Sequence, residues 1–474
     1  MTLRLHNSLS GRKEEFQPLE SGVVRMYTCG PTVWNSAHIG NMRSFLLYDL
    51  IRRHLRTSGY ELRHVMNLTD VDDRIIEQSD EAGITIAEFT PRWEESVLND
   101  LKRLRAQPAE WYPRATDHVP EMVRLISRLL ELGHAYQMDG DVYFRIDSFP
   151  AYGALSKLDW PRQKPAARVA TDRYGKESAA DFALWKGASE RDHRVGAAWE
   201  APFGTGRPGW HIECSAMASR YLGETLDIHA GGVDLLFPHH ENEIAQSEAG
   251  NRKPFSRYWL HGEHLTVASG EKMSKSSGNF LTLNDFLAAG HDQVSIRFHL
   301  MAGAHYRQRT HLSDGTIRAA AEQVRRLREL EQRLHLLNPR PGLDDAAIYE
   351  TALDGLDAYR EAMDDDLNLA LAVGHLFEVV RAANSALDAG RVGTAGREAL
   401  QQLLEAADAH LDVLRTGEES LDEEVEKLIE QREEARRRRD FATSDRIRDE
   451  LRGRGLVLED SREGVRWKRV PAGG

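Results

Sequence analysis

The stretch VVRMYTCGPTVWNSAHIGN, residues 23–41, decides the fold of this chain. Its apolar beginning predicts a buried strand that ends at Cys29, and a helical pattern of apolar residues follows over about 40–58. LRHVMNLTD at 62–70 predicts a second buried strand. Strand, helix and strand in this order form a βαβ unit, which implies a parallel sheet with a right-handed crossover.

The loop between this strand and this helix carries polar side chains, among them Cys29, Thr32 and His38. Open α/β sheets bind ligands outside the carboxyl ends of their strands. We therefore expect the loop to lie at a ligand site.

Composition sets broad limits on the class of protein. A chain of 474 residues is too long for one hydrophobic core. Its 62 Lys and Arg against 75 Asp and Glu give a net charge of −13, which still allows a local basic face. No apolar run approaches the ~20 residues that span a bilayer, so we expect no membrane association. The N-terminus lacks a signal-like apolar segment, and two cysteines without a disulfide pattern suit the cytoplasm.

The remaining chain predicts further domains around the βαβ unit. Residues 80–135 have helical apolar spacing, and 136–208 change to short strands, turns and charges. The predicted fold class is α/β: a Rossmann-like parallel-sheet domain with an inserted connective domain, then an α-helical bundle and a small α+β C-terminal module. The predicted boundaries are 1–305 with the insertion at about 105–205, then 306–416, then 417–474.

Four residues form a candidate metal site. Cys29 and Cys214 are the two cysteines of the chain, and FPHHENE at 237–243 adds His239 and Glu243, which a helix would place on one face. Zinc prefers two thiolates with imidazole or carboxylate in a tetrahedral arrangement. These four residues are therefore the predicted ligands.

The same spacing predicts that His240 and Glu241 point elsewhere. Each predicted ligand also has a plainer interpretation: a single free cysteine is usually a small buried hydrophobe, and a single histidine a hydrogen-bonded polar group. The occurrence of the whole set favours the metal site.

The residues after the first strand also suit phosphate groups. A helix N-terminus offers free N–H groups and a positive dipole end, and Gly40 lets the backbone approach a nucleotide. His38 and Asn41 can donate hydrogen bonds to phosphate oxygens. From these residues alone, an ordinary helix start remains an alternative.

The loop GEKMSKSSGN at 270–279 is a second candidate for phosphate binding. Its glycines and small residues would allow Lys272 and Lys275 to close over a polyphosphate. A solvated surface loop is the plainer interpretation of this lysine pair.

Together these motifs carry a family resemblance. HIGN followed by KMSKS more than 200 residues later resembles the class I aminoacyl-tRNA synthetases. CGPTVW, NLTDVDDRI, GWHIECSAM, FPHHENE and KMSKSSGN are similar to the cysteinyl-tRNA synthetase family, and so are MDDDLNLALA and the tail at 435–460. The resemblance covers nearly the whole chain. It departs at Asn41, where many members of the family have histidine, and this puts the contribution of position 41 in doubt.

The resemblance implies an enzyme that activates cysteine with Mg-ATP and passes the cysteinyl group from its adenylate to tRNA(Cys). His38, Asn41, Lys272 and Lys275 would act on the phosphates, with Thr32, Gly40 and Asp234 beside the nucleotide. One zinc ion per chain would bind the substrate thiol as thiolate, which distinguishes cysteine from serine or alanine. Trp210 would pack against the substrate and His229 would orient a ligand or the substrate.

The resemblance also implies tRNA contacts in the helical bundle and an anticodon-binding role for the C-terminal module. Arg436, Arg437, Arg438 and Arg439 would contact phosphates, and Trp467 would stack on a base. A solvated helix face is the plainer interpretation of the arginine run. We expect a monomer.

Two alternative functions remain open at this point. A related ligase that joins cysteine to an amino-sugar would use the same zinc and ATP residues. A catalytically idle RNA-binding paralogue is the second, against which the intact KMSKS and zinc set argue.

Overall fold

The protein is described by a computed structural model, which covers residues 2–157, 181–266, 280–339 and 344–415. From residue 416 onward it describes 428, 431–432, 435, 438, 440–453, 456–461 and 464–469. The chain divides into two compact units, Met1–Leu414 and Arg415–Gly474.

The strands of these ranges are short. In chain order they are β1 Arg4–Asn7, β2 Arg12–Glu15, β3 Val23–Thr28, β4 Glu61–Met66, β5 Ala135–Met138, β6 Asp141–Phe144, β7 Phe182–Gly187, β8 Gly206–Pro208, β9 Leu226–Gly232, β10 Ser256–Gly262, β11 Leu265–Thr266, β12 Thr310–His311, β13 Leu456–Ser461 and β14 Gly464–Arg469.

The α-helices become longer toward the second half of the first unit. They are α1 Ile39–Thr57, α2 Asp73–Ala82, α3 Ile86–Phe89, α4 Pro91–Arg103, α5 Val119–Glu131, α6 Glu190–Arg194, α7 Trp210–Leu222, α8 Glu241–Asn251, α9 Leu283–Ala288, α10 Gln293–Ala302, α11 Asp314–Leu336, α12 Ala346–Asp364, α13 Leu369–Asp388, α14 Thr394–Leu411 and α15 Phe441–Gly453.

A four-stranded parallel sheet forms the centre of the first unit, in the order β10-β9-β3-β4. The predicted βαβ unit is confirmed, because α1 connects β3 to its parallel neighbour β4. Successive residues of β3 enter different cores: Met26 packs with α1 and the long helices, whereas Tyr27 packs with both cysteines. The alternation follows from the two-residue period of a strand.

The chain between β4 and β9 builds a second layer. Its antiparallel sheet has the order β5-β6-β7-β8, and its strands lie between residues 135 and 208, where the sequence predicts short strands and turns over 136–208. The prediction of helix throughout 80–135 is wrong over 104–118, which contains one short turn of helix at 116–118. Pro108 and Pro113 lie in that interruption, and proline cannot continue a helix interior.

Long helices complete the first unit. The predicted bundle is present as α11, α12, α13 and α14, with buried apolar stripes at helical spacing such as Val324, Leu327 and Leu330 in α11. Across the described ranges, no helix combines the length and apolar character needed to cross a bilayer.

The second unit contains α15 and a hairpin. β13 and β14 pair antiparallel, with Leu458 opposite Trp467. These two strands were predicted from LVLED and VRWKR.

Candidate metal and nucleotide site

The predicted metal ligands and the N-terminus of α1 lie near the carboxyl ends of the parallel strands. From β3 the chain continues through α1 to β4 on one side, whereas β9 is followed by β10 on the other, so the strand order reverses between β3 and β9. Open α/β sheets bind ligands at the carboxyl ends of strands beside such a reversal. Cys29 directly follows β3 at this point, and Asp234 follows β9.

Four elements bring the predicted metal ligands together. Cys29 follows β3, Cys214 lies in α7, His239 lies in the π-helical turn Leu236–His240, and Glu243 lies in α8, which begins directly after that turn. Their sulfur, nitrogen and oxygen atoms all lie within 4.8 Å of one another, and all four side chains are buried. His239 Nε2 is 3.0 Å from Glu243 Oε1, as expected for positions four apart on a helix.

The two thiols of this quartet have different pKa values. Burial raises the pKa of Cys29 well above its usual value, and neighbouring Cys214 and Glu243 add to the rise. Burial also acts to raise the pKa of Cys214, but the bond from Cys29 and the nearby His239 outweigh it and bring the pKa to about 6. At neutral pH, Cys214 is therefore a thiolate that accepts the S–H of Cys29, with the sulfurs 4.0 Å apart.

Opposite charges also shift the pKa values of the other two members. Burial raises the pKa of Glu243, but His229 and His239 lower it to about 2. Burial lowers the pKa of His239, but Glu243 and Cys214 outweigh it and raise the value to about 10. Thiolate, carboxylate and imidazole in one buried cluster suit a divalent cation, which competes with the protons for these lone pairs.

Two residues beside the quartet fix the orientation of His239. His211 Nδ1 lies 3.0 Å from His239 Nδ1, and burial holds the pKa of His211 well below its usual value. The neutral His211 therefore accepts from His239 Nδ1–H, which directs His239 Nε2 toward the other ligands. Trp210 stacks on the His239 ring at 4.2 Å and remains 41% exposed, so its free face borders the site.

His229 contacts the quartet at the carboxylate of Glu243. Its Nε2 lies 2.9 Å from Glu243 Oε2, and its ring stacks on Trp259 at 4.6 Å. His229 therefore lies beside a predicted metal ligand.

The expectation that His240 points elsewhere is wrong. His240 Nε2 lies 3.3 Å from Cys29 Sγ, because residues three apart also share a helix face with Glu243. Cys29, His229, His240 and Glu243 form a second, overlapping group with metal-ligand spacing. A chain of bonds continues from His240 Nδ1 to His261 Nε2 and from His261 Nδ1 to the Ser8 hydroxyl, each 2.8 Å long.

Glu241 does leave the quartet, as expected. Its carboxylate accepts the backbone N–H groups of Gly153 and Ser156, at 2.8 and 2.7 Å.

Sequence reasoning missed His211 and His240 as neighbours of the metal ligands. His211 stands three positions before Cys214, and His240 three before Glu243, so helical spacing could have identified both. His261 had no such signal, because it reaches the site from a neighbouring strand.

The N-terminus of α1 presents the other half of the site. His38 and Asn41 form a capping box: His38 Nδ1 accepts the Asn41 backbone N–H at 3.0 Å, and Asn41 Oδ1 accepts the His38 N–H at 3.1 Å. A neutral His38 whose Nδ1 accepts carries its proton on Nε2. Gly40 lies in the first turn of this helix.

The described end of the lysine-loop region lies against this helix start. Phe280 contacts the His38 ring edge-on at 5.6 Å, and the Leu281 carbonyl accepts the Ile39 N–H at 2.8 Å. Lys272 and Lys275 themselves lie outside the described residues.

The remaining predicted site residues are dispersed. Thr32 lies in the loop after β3, where it bridges to Thr69. Arg438 and Trp467 belong to the second unit, the latter in β14, whereas Arg436, Arg437 and Arg439 lie outside the described residues.

Three family models match successive parts of the chain. The model for the "tRNA synthetases class I (C) catalytic domain" matches residues 15–322, the "DALR domain" matches 358–415, and the "Cysteinyl-tRNA ligase anticodon binding domain" matches 418–467.

Curated relatives match the chain over its whole length. A cysteine–tRNA ligase of Solibacter usitatus is 46% identical over 473 residues, covering 99% of this chain and 100% of the relative. A cysteine–tRNA ligase of Leptospira interrogans is 44% identical over 472 residues, with 98% and 99% covered.

Solved structures show the same fold at low identity. A Mycobacterium tuberculosis methionyl-tRNA synthetase in complex with methionyl-adenylate aligns with a TM-score of 0.58 and 16% identity, over 83% of this chain and 90% of that one. A ternary complex of Agrobacterium radiobacter LeuRS with tRNA and LeuAMS aligns with a TM-score of 0.62 and 11% identity, over 84% and 85%.

The parallel sheet, the helix start at its reversal point and the matched catalytic-domain model define a class I aminoacyl-tRNA synthetase. Within that class, identity over the full length decides the family. The chain belongs to the cysteine–tRNA ligase family.

Proposed function

We propose that this protein attaches L-cysteine to tRNA(Cys) in an ATP-dependent reaction through a cysteinyl-adenylate. The substrate carboxylate attacks the α-phosphate of Mg-ATP and releases pyrophosphate. A hydroxyl of the terminal adenosine of the tRNA then attacks the carbonyl of the adenylate, takes the cysteinyl group and releases AMP. The buried quartet of Cys29, Cys214, His239 and Glu243 beside the α1 N-terminus carries the proposal. It adds a thiol-recognising centre to the nucleotide edge of a synthetase fold.

The quartet fits one zinc ion per chain. Two sulfurs, an imidazole nitrogen and a carboxylate oxygen are ligands that zinc accepts, and His211 already orients His239. When bound, zinc would hold the substrate thiol as thiolate. The hydroxyl group of serine loses its proton far less readily. Trp210 would border the small substrate side chain, and His229 would hold Glu243 in place. A site built around one ligating group rejects analogues that lack it by about 10⁴ or more.

Residues at the helix start would bind the phosphates. His38 would donate from Nε2, and the backbone N–H of Gly40 in the first turn of α1 would face developing negative charge. Asn41 would act mainly through the capping box, which sets the His38 ring. Lys272 and Lys275 would stabilise charge on the triphosphate, with Thr32 and Asp234 beside the nucleotide.

The tRNA would bind to the helical domain and the C-terminal module. We propose domain boundaries at 1–305, 306–416 and 417–474, with the arginines 436–439 on phosphates and Trp467 on an anticodon base. The match to an anticodon-binding model over 418–467 favours tRNA over an amino-sugar as acceptor. A monomer in the cytoplasm suits two free, buried cysteines that must remain reduced.

Cysteine-dependent ATP–pyrophosphate exchange, followed by tRNA charging, tests this function on protein of measured zinc content. We expect exchange with cysteine, little with serine, and charging of tRNA(Cys). Zinc-loaded protein without exchange would contradict the synthetase activity. Exchange without charging, combined with ligation of cysteine to an amine acceptor, would establish the amino-sugar alternative.

A further inference from the structure

A ten-residue strap, residues 303–312, joins α10 to α11 and contacts several parts of the first unit. The strap contains β12, which pairs in parallel with β11. The carbonyl of its Tyr306 accepts the backbone N–H of Glu263 at 2.8 Å. These bonds hold the segment 262–266, which continues from the carboxyl end of β10.

Segment 262–266 lies at the carboxyl end of the parallel sheet, where the proposed ATP site is. Gly262 at the end of β10 pairs with Gly232 at the end of β9, two residues before Asp234. The strap is also bonded to α1: Arg43 Nη2 donates to the carbonyls of His305 at 3.3 Å and Gln308 at 2.6 Å. The strap therefore contacts both α1 and the segment after β10, two elements that begin or end near the proposed ATP site.

Asp366 anchors the strap from the turn between α12 and α13. Its fully buried carboxylate accepts the Tyr306 hydroxyl at 2.6 Å, Arg307 Nε at 2.8 Å and the backbone N–H of His6 at 2.8 Å. The carbonyl of Asp366 also lies 3.0 Å from His305 Nε2. Three consecutive strap residues thus bond to one aspartate of the helical region.

The backbone at this anchor is strained. Asp366 has φ +69° and Leu367 has φ +54°, a region that non-glycine residues rarely adopt. Such conformations persist where surrounding bonds enforce them, and they cluster at functional sites. The bonds around Asp366 provide that enforcement.

We propose that Asp366 is a positioning residue for ATP. By fixing Tyr306 and Arg307 it sets the strap, and through the strap it sets segment 262–266 and Arg43 at the nucleotide edge. Asp366 itself touches no substrate. The inference rests on the proposed function, because it concerns the ATP of the same reaction.

Pyrophosphate exchange without tRNA tests the role of Asp366, because this assay reports on ATP and cysteine binding separately from tRNA binding. Asp366→Ala should raise KM for ATP about tenfold and leave KM for cysteine and zinc content unchanged. Asp366→Asn keeps an acceptor for His6 and Tyr306 and tolerates positive φ, so it should restore most of the ATP affinity. Hydrogen exchange at the Glu263 amide should accelerate in Asp366→Ala.

Asp345→Asn is the matched control, because Asp345 accepts the Gly396 N–H at the other end of α12 and does not contact the strap. Tyr306→Phe removes a single donor and provides a folded variant if Asp366→Ala does not fold; it should raise KM for ATP about threefold. An unchanged KM for ATP in the folded variants, or an equal rise for ATP and cysteine, would overturn the role of Asp366. Failure of the wild type to exchange would instead contradict the proposed function.

Discussion

At the residue scale, the four side chains of the quartet differ in charge, and this difference makes the cluster suitable for a metal ion. Cys214 has the lowered thiol pKa, Glu243 remains ionised, and His239 is held by a neutral His211. A buried cluster of this kind is costly unless its charges compensate one another. The arrangement therefore suits the binding of a divalent cation and contributes little to the stability of the fold.

Cys214→Ser should lose zinc, because a serine hydroxyl does not ionise at neutral pH and is a harder ligand. Substitutions beside metal ligands already cost about 10- to 100-fold in affinity, so loss of a ligand should cost more than about 100-fold. Chelator competition measures this affinity, and cysteine binding should weaken with it. Met217→Leu, a volume-conserving change in the same helix, controls for repacking of α7. Normal zinc content in Cys214→Ser would contradict the ligand assignment.

At the element scale, the loop from β3 to α1 determines where Cys29 and His38 lie. Gly30 packs so closely against the carbonyl of Asn67 that a Cβ there would overlap it. The Gly30 N–H also donates to Asn67 Oδ1 at 2.9 Å. The loop therefore cannot move toward β4, and Cys29 is held at the end of its strand.

Gly30→Ala should destabilise the protein by about 1–3 kcal/mol through this overlap and lower zinc content by displacing Cys29. Gly374→Ala provides the opposite control, because no atom lies within 4 Å of a Cβ at this exposed helical position. Alanine in place of a helical glycine should stabilise by up to about 1 kcal/mol. Thermal unfolding of both variants measures the contrast, and equal midpoints would refute the close-packing argument.

The sequence predicted the elements that follow from local residue patterns, and it missed contacts between residues that are far apart in the chain. The βαβ unit and the closing hairpin followed from the pattern of apolar residues, and the quartet followed from the ligand preferences of zinc. His261 and the Asp366 anchor were not predicted, because their contacts join residues 21 and 60 positions apart. The three-residue spacing of His38 and Asn41 suits a capping box, but the family resemblance favoured phosphate binding by both residues.

At the scale of the whole molecule, buried polar groups join α1 to the helical bundle. His54 Nδ1 lies 3.2 Å from His410 Nε2, and His54 Nε2 lies 3.1 Å from Asp364 Oδ1. Burial, with His54 and Arg53 nearby, lowers the pKa of His410 to about 3. Neutral His410 is thus part of the packing between the sheet domain and its helices.

Acid should weaken this packing. In the unfolded chain, the pKa of His410 is about 6.5. Above that pH the side chain is neutral in both states, so the stability of the fold does not depend on its protonation. Below pH 6.5 the unfolded chain binds the extra proton, and stability should fall by about 1.4 kcal/mol per pH unit. Between pH 7 and 5, the unfolding midpoint should fall less in His410→Gln than in the wild type. His335→Gln, which removes an exposed histidine, should behave as wild type; an identical pH profile for all three would contradict the assignment.

Truncation after residue 415 should separate the two half-reactions. The quartet and α1 belong to the compact unit Met1–Leu414, so pyrophosphate exchange should persist. Charging of tRNA should fall by about 100-fold or more, because one of two linked binding modules is removed. Parallel exchange and charging assays on one preparation measure the split. Loss of exchange in a folded truncation, or retained charging, would contradict it.

The wide sequence spacing of the quartet has a consequence during synthesis. Cys29 is made early, but Glu243 is made only after half of the chain has left the peptidyl-transferase centre. A nascent chain therefore holds its first thiol unligated while more than two hundred further residues are polymerised. The complete set of proposed zinc ligands therefore exists only after about half of the chain has been translated, and products that terminate before residue 243 lack it.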